Sequence, residues 1–381
     1  MQRSVQPRLI ANRFRDSFGR QARVFQAPGR INIIGEHTDY SGGLVMPAAI
    51  DRSCVVAIAP NGSRRLEVVA GDLDRSATLD LDNLTPTGTW TDYVAGVASV
   101  LMAAGIPVVG ADLWIESDVP IGAGVSSSAA LEVASTLALL AVAGVSADGP
   151  QVARWAQAAE NGFVGMPCGI MDQFASANGV DGSAIMLDCR SLAFEPVAIP
   201  AGASFLLVDS MVRHTLVDGE YRARREDCEA AARTLGLALL GDLDEADLPA
   251  ALEQLTGNPA KRCRHVVSDI GRVRKAAAAM KTGDLEALGQ LMSLSHASLR
   301  DDMQVSDPQV DILAEIAQRT PGVLGARMMG GGFGGCIIAL VSNENAAAAQ
   351  LAIQAEYGDI IGKQPDAFVC RAVAGAGEVS L

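Results

Sequence analysis

No two of the 7 cysteines are spaced CxxC; they are scattered and odd in number. That argues against a zinc site or a disulfide framework and for reduced thiols. Long apolar runs are also missing. The longest, 129–143, carries Glu132, Ser135 and Thr136 and falls short of the ~20 residues a membrane helix needs. The opening MQRSVQPRLIANRFRDSFG is polar and basic with no apolar centre, so no secretory signal is expected. Positive charge is scarce: 30 Lys and Arg against 44 Asp and Glu leave a net charge of −14. Such a balance repels nucleic acid and anionic membrane, although a small phosphate ligand depends on local groups and often on a metal ion. There is no fixed-period repeat and no low-complexity linker. A cytoplasmic protein without nucleic-acid or membrane partners is expected, as a monomer or weak homo-oligomer.

A chain of 381 residues is long for one core, so two domains are expected, 1–199 and 200–381, divided near IPAG at 199–202. Apolar periodicity predicts helices over 8–19, 91–104, 128–143 and 150–163, then over 218–235, 260–281, 284–296, 308–319 and 344–356. Short β-branched runs predict strands at 24–26, 31–34, 53–59, 66–70, 77–81 and 112–116, and later at 184–187, 194–199, 205–208, 336–341 and 367–373. The expected class is α+β, each half holding sheet and helices.

The segment 119–132, VPIGAGVSSSAALE, reads as a strand end, a glycine loop, three serines and an apolar helix. Gly122 and Gly124 permit positive φ and close approach of a ligand. Ser126, Ser127 and Ser128 add hydroxyls where the helix start exposes unpaired N–H groups, an arrangement that favours phosphate. A capped turn before a buried helix is the plainer alternative.

PGRINIIGEHTDY (28–40) gathers Arg30, Glu36, His37, Asp39 and Tyr40, a mixture suited to a polyol or, equally, to a charged surface turn. His37 lacks an HExxH or similar partner, which argues against metal ligation. AENGFVGMPCGIMDQF (159–174) sets Glu160 on a helix and delivers Asp172 from a loop, as a positioned base or as the N-cap of the next segment. Arg30 beside Asp172 would favour the ionised carboxylate. Gly330-x-Gly332-x-x-Gly335 fits a dinucleotide fingerprint by count. Its context is wrong, because a strand rather than a helix follows. GDIIGKQ (358–364) mimics a Walker A loop but is one residue short and ends in Gln.

Together these stretches resemble the galactokinases of the GHMP sugar-kinase superfamily along nearly the whole chain. GRINIIGEHTDY is similar to the galactokinase signature, PIGAGVSSSAALE to the phosphate loop, and GARMMGGGFGGCIIAL to the third, glycine-rich motif. GMPCGIMDQF, VRHTLVDGEYRARREDCE, SHASLRDDMQVSDPQVDIL and VCRAVAGAGEV add to the resemblance.

The resemblance implies a two-domain GHMP fold with the active site in the inter-domain cleft. It also implies ATP-dependent phosphorylation of the C1 hydroxyl of α-D-galactose. By motif position Asp172 would be the catalytic carboxylate and Arg30 its partner. Glu36, His37, Thr38, Asp39, Gly169 and Tyr221 would hold the sugar. Gly122, Ala123, Gly124, Val125, Ser126, Ser127 and Ser128 would wrap the phosphates, and Ser128 and Glu160 would bind Mg²⁺. Three positions depart from the pattern. Ser41-Gly42-Gly43 and Ala48 stand where many relatives carry Asn and Cys, and Asn161 where His is frequent. The alternatives are a kinase for N-acetylgalactosamine, L-arabinose or galacturonate, and a non-catalytic galactose/ATP sensor.

Overall fold

In the computed structural model, which describes residues 5–213 and 217–381, the apolar run at 53–59 lies inside a longer strand, Pro47–Pro60. Side chains alternate across a strand, and here both faces are covered. Cys54, Val56 and Ile58 enter the main core, while Val55, Ala57 and Ala59 pack with Ile10 and Phe14 of helix Pro7–Phe18. That helix begins with Pro7 and ends at Gly19 in the left-handed conformation.

Pro47–Pro60 is central in a six-stranded sheet. The order is Gly377–Glu378, Arg23–Asn32, Pro47–Pro60, Ala111–Ser117, Arg65–Ala70, Arg75–Asp80. All neighbours are antiparallel except Arg65–Ala70 with Ala111–Ser117. Helix Ser127–Val142 covers the core face of Arg23–Asn32 and Pro47–Pro60. A smaller sheet joins Leu44–Val45, Ser183–Asp188 and Phe194–Ala198.

The remaining sheet is antiparallel, in the order Val323–Met329, Cys336–Ser342, Ala203–Asp209, Ala367–Cys370. Phe205, Leu207, Ile338 and Leu340 face the main core, and Leu206, Val208, Ile337 and Ala339 face a second core. The second core is closed by helices that include Pro308–Arg319 and Ala346–Ile361. One sheet thus seals both halves, and the architecture is α+β. The last strand, Gly377–Glu378, returns to the edge of the first sheet. Among the described residues no helix is long and apolar enough to cross a membrane.

Three expectations need correction. The strands at 24–26 and 31–34 are one strand, Arg23–Asn32, because a register shift between Pro28 and Arg30 absorbs the Pro-Gly pair instead of ending the strand. Helix Gly149–Ala159 stops early and passes into a π-turn, Glu160–Val164. The strand Val323–Met329 had no counterpart in the sequence reading, since glycine, arginine and two methionines disguise it. Residues 214–216, within VRHTLVDGEYRARREDCE, lie outside those described.

Phe14 is fully buried between its helix and the sheet. Phe14→Ala is expected to cost about 3–5 kcal/mol of stability in denaturant titration. Because the side chain is remote from the cleft, turnover below the melting transition should be unchanged.

Candidate active site

The register shift at Pro28–Arg30 turns strand Arg23–Asn32 toward the glycine-serine loop, where Arg30 N donates to Val125 O at 3.2 Å. The Arg30 side chain is 4% exposed, so its charge must be met by protein. Its Nε and Nη2 donate to Asp172 Oδ1 at 2.9 and 2.7 Å, and Nη1 donates to Gly124 O at 2.5 Å. Burial pulls the guanidinium pKa down, but the charges of Asp172, Glu36 and Asp39 outweigh it and the net shift is upward. Ser126, at φ 61°, donates Oγ to Asp172 Oδ2 at 2.6 Å. Asp172 sits in the first turn of helix Met171–Asn178 rather than in the preceding loop. The N-cap there is Ile170, with no side-chain bond, so Asp172 is not a helix cap.

The turn after the strand brings Glu36, His37 and Asp39 to the same cleft. Glu36 accepts Gly330 N at 2.7 Å on Oε1 and pairs with Arg327 at 3.3 Å. His37 has both ring nitrogens engaged, Nδ1 with Tyr40 Oη at 2.9 Å and Nε2 with Gly331 O at 3.0 Å. A carbonyl only accepts, so Nε2 carries the proton and Nδ1 accepts from Tyr40. Burial lowers its pKa to about 3, so the ring is neutral. Tyr221, from helix Val217–Thr234, stacks its ring 5.2 Å from that of His37 and 5.6 Å from that of Tyr40. Asp39 is pushed up to about 7, chiefly by burial and then by the charge of Asp172, against the opposing Tyr40 N–H and Arg30. Gly169 passes so close that a Cβ there would lie 1.8 Å from Asp39 Oδ2. Only glycine fits.

The glycine-serine loop forms the facing wall. Gly124, at φ 75°, lies against Gly330, at φ 86°, and a Cβ on Gly330 would meet Gly124 Cα at 3.1 Å. Helix Ser127–Val142 starts here, with Ser127 and Ser128 of its first turn, where N–H groups lack intrahelical partners, lining the cleft. Glu160 accepts from Gln173 Nε2, and burial followed by the charge of Asp172 raises its pKa. The cleft encloses about 380 Å³.

The structure thus gathers Arg30, Glu36, His37, Asp39, Glu160, Gly169, Asp172 and Tyr221 around one cavity with Gly122, Gly124, Ser126, Ser127 and Ser128. It does not bring Thr38, Ala123 or Val125 to the cavity lining. Thr38 is fully buried and its hydroxyl serves Gly35 O and Leu44 O at 3.0 and 2.9 Å. The dinucleotide-like Gly330–Gly335 run joins two antiparallel strands, and the Walker-like GDIIGKQ is the end of helix Ala346–Ile361.

Sequence reasoning missed several supports. Arg327 is fully buried, binds Glu36, and donates to Asn32 O at 2.7 Å. His265, in the long helix Gly257–Thr282, bonds Glu36 O at 3.0 Å and Ser298 Oγ at 2.9 Å. Gln173 bridges Glu132 and Glu160 at 3.1 and 2.5 Å. An arginine within an apolar strand and a glutamate within an apolar helix are the available signals. Among the described residues no three His, Cys, Asp or Glu side chains are arranged to enclose a metal ion. The hydroxyl and carboxylate of Ser128 and Glu160 are nevertheless a hard-oxygen pair of the kind that holds Mg²⁺ together with phosphate oxygens.

The chain matches known proteins in sequence and in fold. Residues 12–60 match the Galactokinase galactose-binding signature, 92–180 the GHMP kinases N terminal domain, and 276–359 the GHMP kinases C terminal family. A curated galactokinase from Roseiflexus sp. (strain RS-1) is 41% identical over 377 residues, 97% of this chain and 96% of the relative. The structure resembles Lactococcus lactis galactokinase complexed with galactose, with TM-score 0.94, 32% identity, and coverage of 98% and 99% of the two chains. The Methanococcus jannaschii mevalonate kinase shares the fold, with TM-score 0.67, 18% identity, and coverage of 93% and 99%.

Asp39 supplies a pH signature. With its folded pKa raised to about 7 from 3.8, the unfolded chain ionises first as pH rises. Stability contributed by the neutral form is therefore lost between pH ~4 and ~7. In thermal melts of the ligand-free protein, Asp39→Asn is expected to flatten the decline over that window and to raise the melting temperature at pH 8. An unchanged pH profile would contradict the shift.

Proposed function

The chain belongs to the galactokinase family, and we propose that Asp172 and Arg30 carry out its reaction, transfer of the γ-phosphoryl group of ATP to the C1 hydroxyl of α-D-galactose. The observation that supports these roles is the Asp172 carboxylate itself. It is held by Arg30 and Ser126 and faces a cavity that also contains the helix-start loop.

In this reading the sugar lies against the 36–39 turn. Asp39 and the free oxygen of Glu36 accept its hydroxyl protons, and the Gly169 backbone allows close approach. Tyr221, packed against the rings of His37 and Tyr40, limits the pocket on one side. The phosphates lie along Gly122–Ser128, where amide N–H groups and hydroxyls point at them. Asp172 takes the proton of the C1 hydroxyl. The freed oxygen attacks the γ-phosphorus, the bond from that phosphorus to the β–γ bridging oxygen breaks, and ADP leaves. Phosphoryl transfer has a loose transition state with charge on the equatorial oxygens, so positioning and electrostatics dominate. Arg30, already beside Asp172, supplies positive charge at that point without moving far.

Ser128 and Glu160 would hold Mg²⁺, which would supply positive charge against the phosphates. Glu132, buried behind Glu160 and linked to it through Gln173, holds that carboxylate in place.

Asp172→Asn is expected to lower kcat by at least ~10²–10⁴ while ATP binding persists, read by coupled ADP formation and by calorimetry. A rate near that of the wild type would reject the assignment. Glucose differs from galactose only at C4, and a site with polar groups committed to the axial hydroxyl can reject it by as much as ~10⁴–10⁵ in kcat/KM. Comparable turnover of the two sugars would contradict the part played by Asp39 and Tyr221 in sugar recognition.

A further inference from the structure

Arg213 is the other arginine of the cleft, and phosphoryl transfer by Asp172 and Arg30 leaves it without a task. It lies just beyond strand Ala203–Asp209 and lines the same cavity as Arg30. Asp209, with a side chain only 10% exposed, grips it: Nη1 donates to Oδ1 at 2.9 Å and Nη2 to Oδ2 at 2.5 Å. Nη1 also donates to Val212 O at 3.1 Å. These bonds account for three of the five N–H donors and fix the plane of the guanidinium. Nε and Cδ face the phosphate loop, for a Cβ on Gly122 would lie 3.3 and 3.5 Å from them.

The segment bearing Arg213 is itself anchored. Ser210 N and Oγ donate to Gly335 O at 3.0 and 2.6 Å, and Gly335 N donates to Val212 O at 3.1 Å. Tyr357 Oη donates to Ser210 O at 2.8 Å. Arg213 is thereby tied to the glycine-rich loop that already touches Gly124. Electrostatics points the same way. The loop Gly122–Ser128 contains no lysine or arginine and offers only N–H and hydroxyl dipoles. Arg30 is turned to Asp172 and Gly124 O, so on the Gly122 side of the loop the nearby full positive charge belongs to Arg213.

We propose that Arg213 is a nucleotide-binding residue that grips the phosphate chain from the C-terminal half and presses it against the Gly122 side of the phosphate loop, with Asp209 orienting it. This rests on the reading of the cleft as the site of ATP. A cation that reaches the phosphates from one half while the loop belongs to the other joins both halves to the same ligand.

The test is calorimetric titration of ADP, adenosine and galactose into the wild type, Arg213→Gln and Arg213→Lys. In the Gln variant ADP affinity is expected to fall about 10–100-fold, the span of a hydrogen bond to a charged group. Adenosine and galactose affinities stay as they were, Lys restores part of the loss as a point charge, and salt weakens ADP binding less steeply than in the wild type. Unchanged ADP affinity, or an equal fall for ADP and adenosine, overturns the proposal. If the Gln variant also loses galactose, the comparison is read on the Lys variant, where a fall confined to ADP supports the proposal and an equal fall overturns it. A wild-type protein that binds galactose but no ADP would overturn the reading of the nucleotide site itself, an outcome separate from a null effect at Arg213.

Discussion

Arg30 is buried so deeply that everything around it must answer its charge. Its side chain is 4% exposed, so loss of its Asp172 partner would leave a buried charge unmet. Three elements distant in sequence supply the answer: the strand that carries Arg30, the helix that begins at Met171, and the loop whose Gly124 carbonyl accepts Nη1. None can shift without exposing or orphaning the guanidinium. The Asp172 carboxylate is consequently placed by a structural need as well as by a chemical one. Ser126 completes the arrangement from a strained, left-handed backbone position.

A second constraint joins the two halves. Glu36 receives Gly330 N–H and lies beside buried Arg327, which also holds Asn32 O. His37 bonds Gly331 O, and His265 bonds Glu36 O. The 36–39 turn, from the N-terminal half, is therefore shaped largely by residues that arrive 200 or more positions later. The cores follow the same plan, because alternate residues of Ala203–Asp209 and Cys336–Ser342 face opposite clusters.

The legible parts of the fold were those governed by local rules. The β-branched run at 53–59 and the apolar run after Ser127 each mark an element from neighbouring residues alone. The polar residues of the cleft were legible too, because glycine-flanked Glu36, His37, Asp39 and Asp172 stand out from apolar surroundings. What escaped was pairing. Arg327 lies in VLGARMM, where composition argues against a strand, and only Glu36 and Asn32 justify its burial. The register shift at Pro28 reads locally as a break, yet the neighbouring strand continues the ladder past it. The resemblance implied that Thr38 holds the sugar, whereas the carbonyls of Gly35 and Leu44 consume its hydroxyl. In each case the deciding partner is another segment whose proximity no local pattern encodes.

The crowding of acids in the cavity sets the sign of its potential. Glu36, Asp39, Glu160 and Asp172 line it against two arginines, each already facing a carboxylate. The upward shifts of Asp39 and Glu160 are the mark of burial compounded by that mutual repulsion. The pocket therefore behaves as a negatively biased filter, in a chain whose overall charge has the same sign. Arg30, Arg213 and the unpaired N–H groups at the start of helix Ser127–Val142 are what oppose that bias inside the cavity.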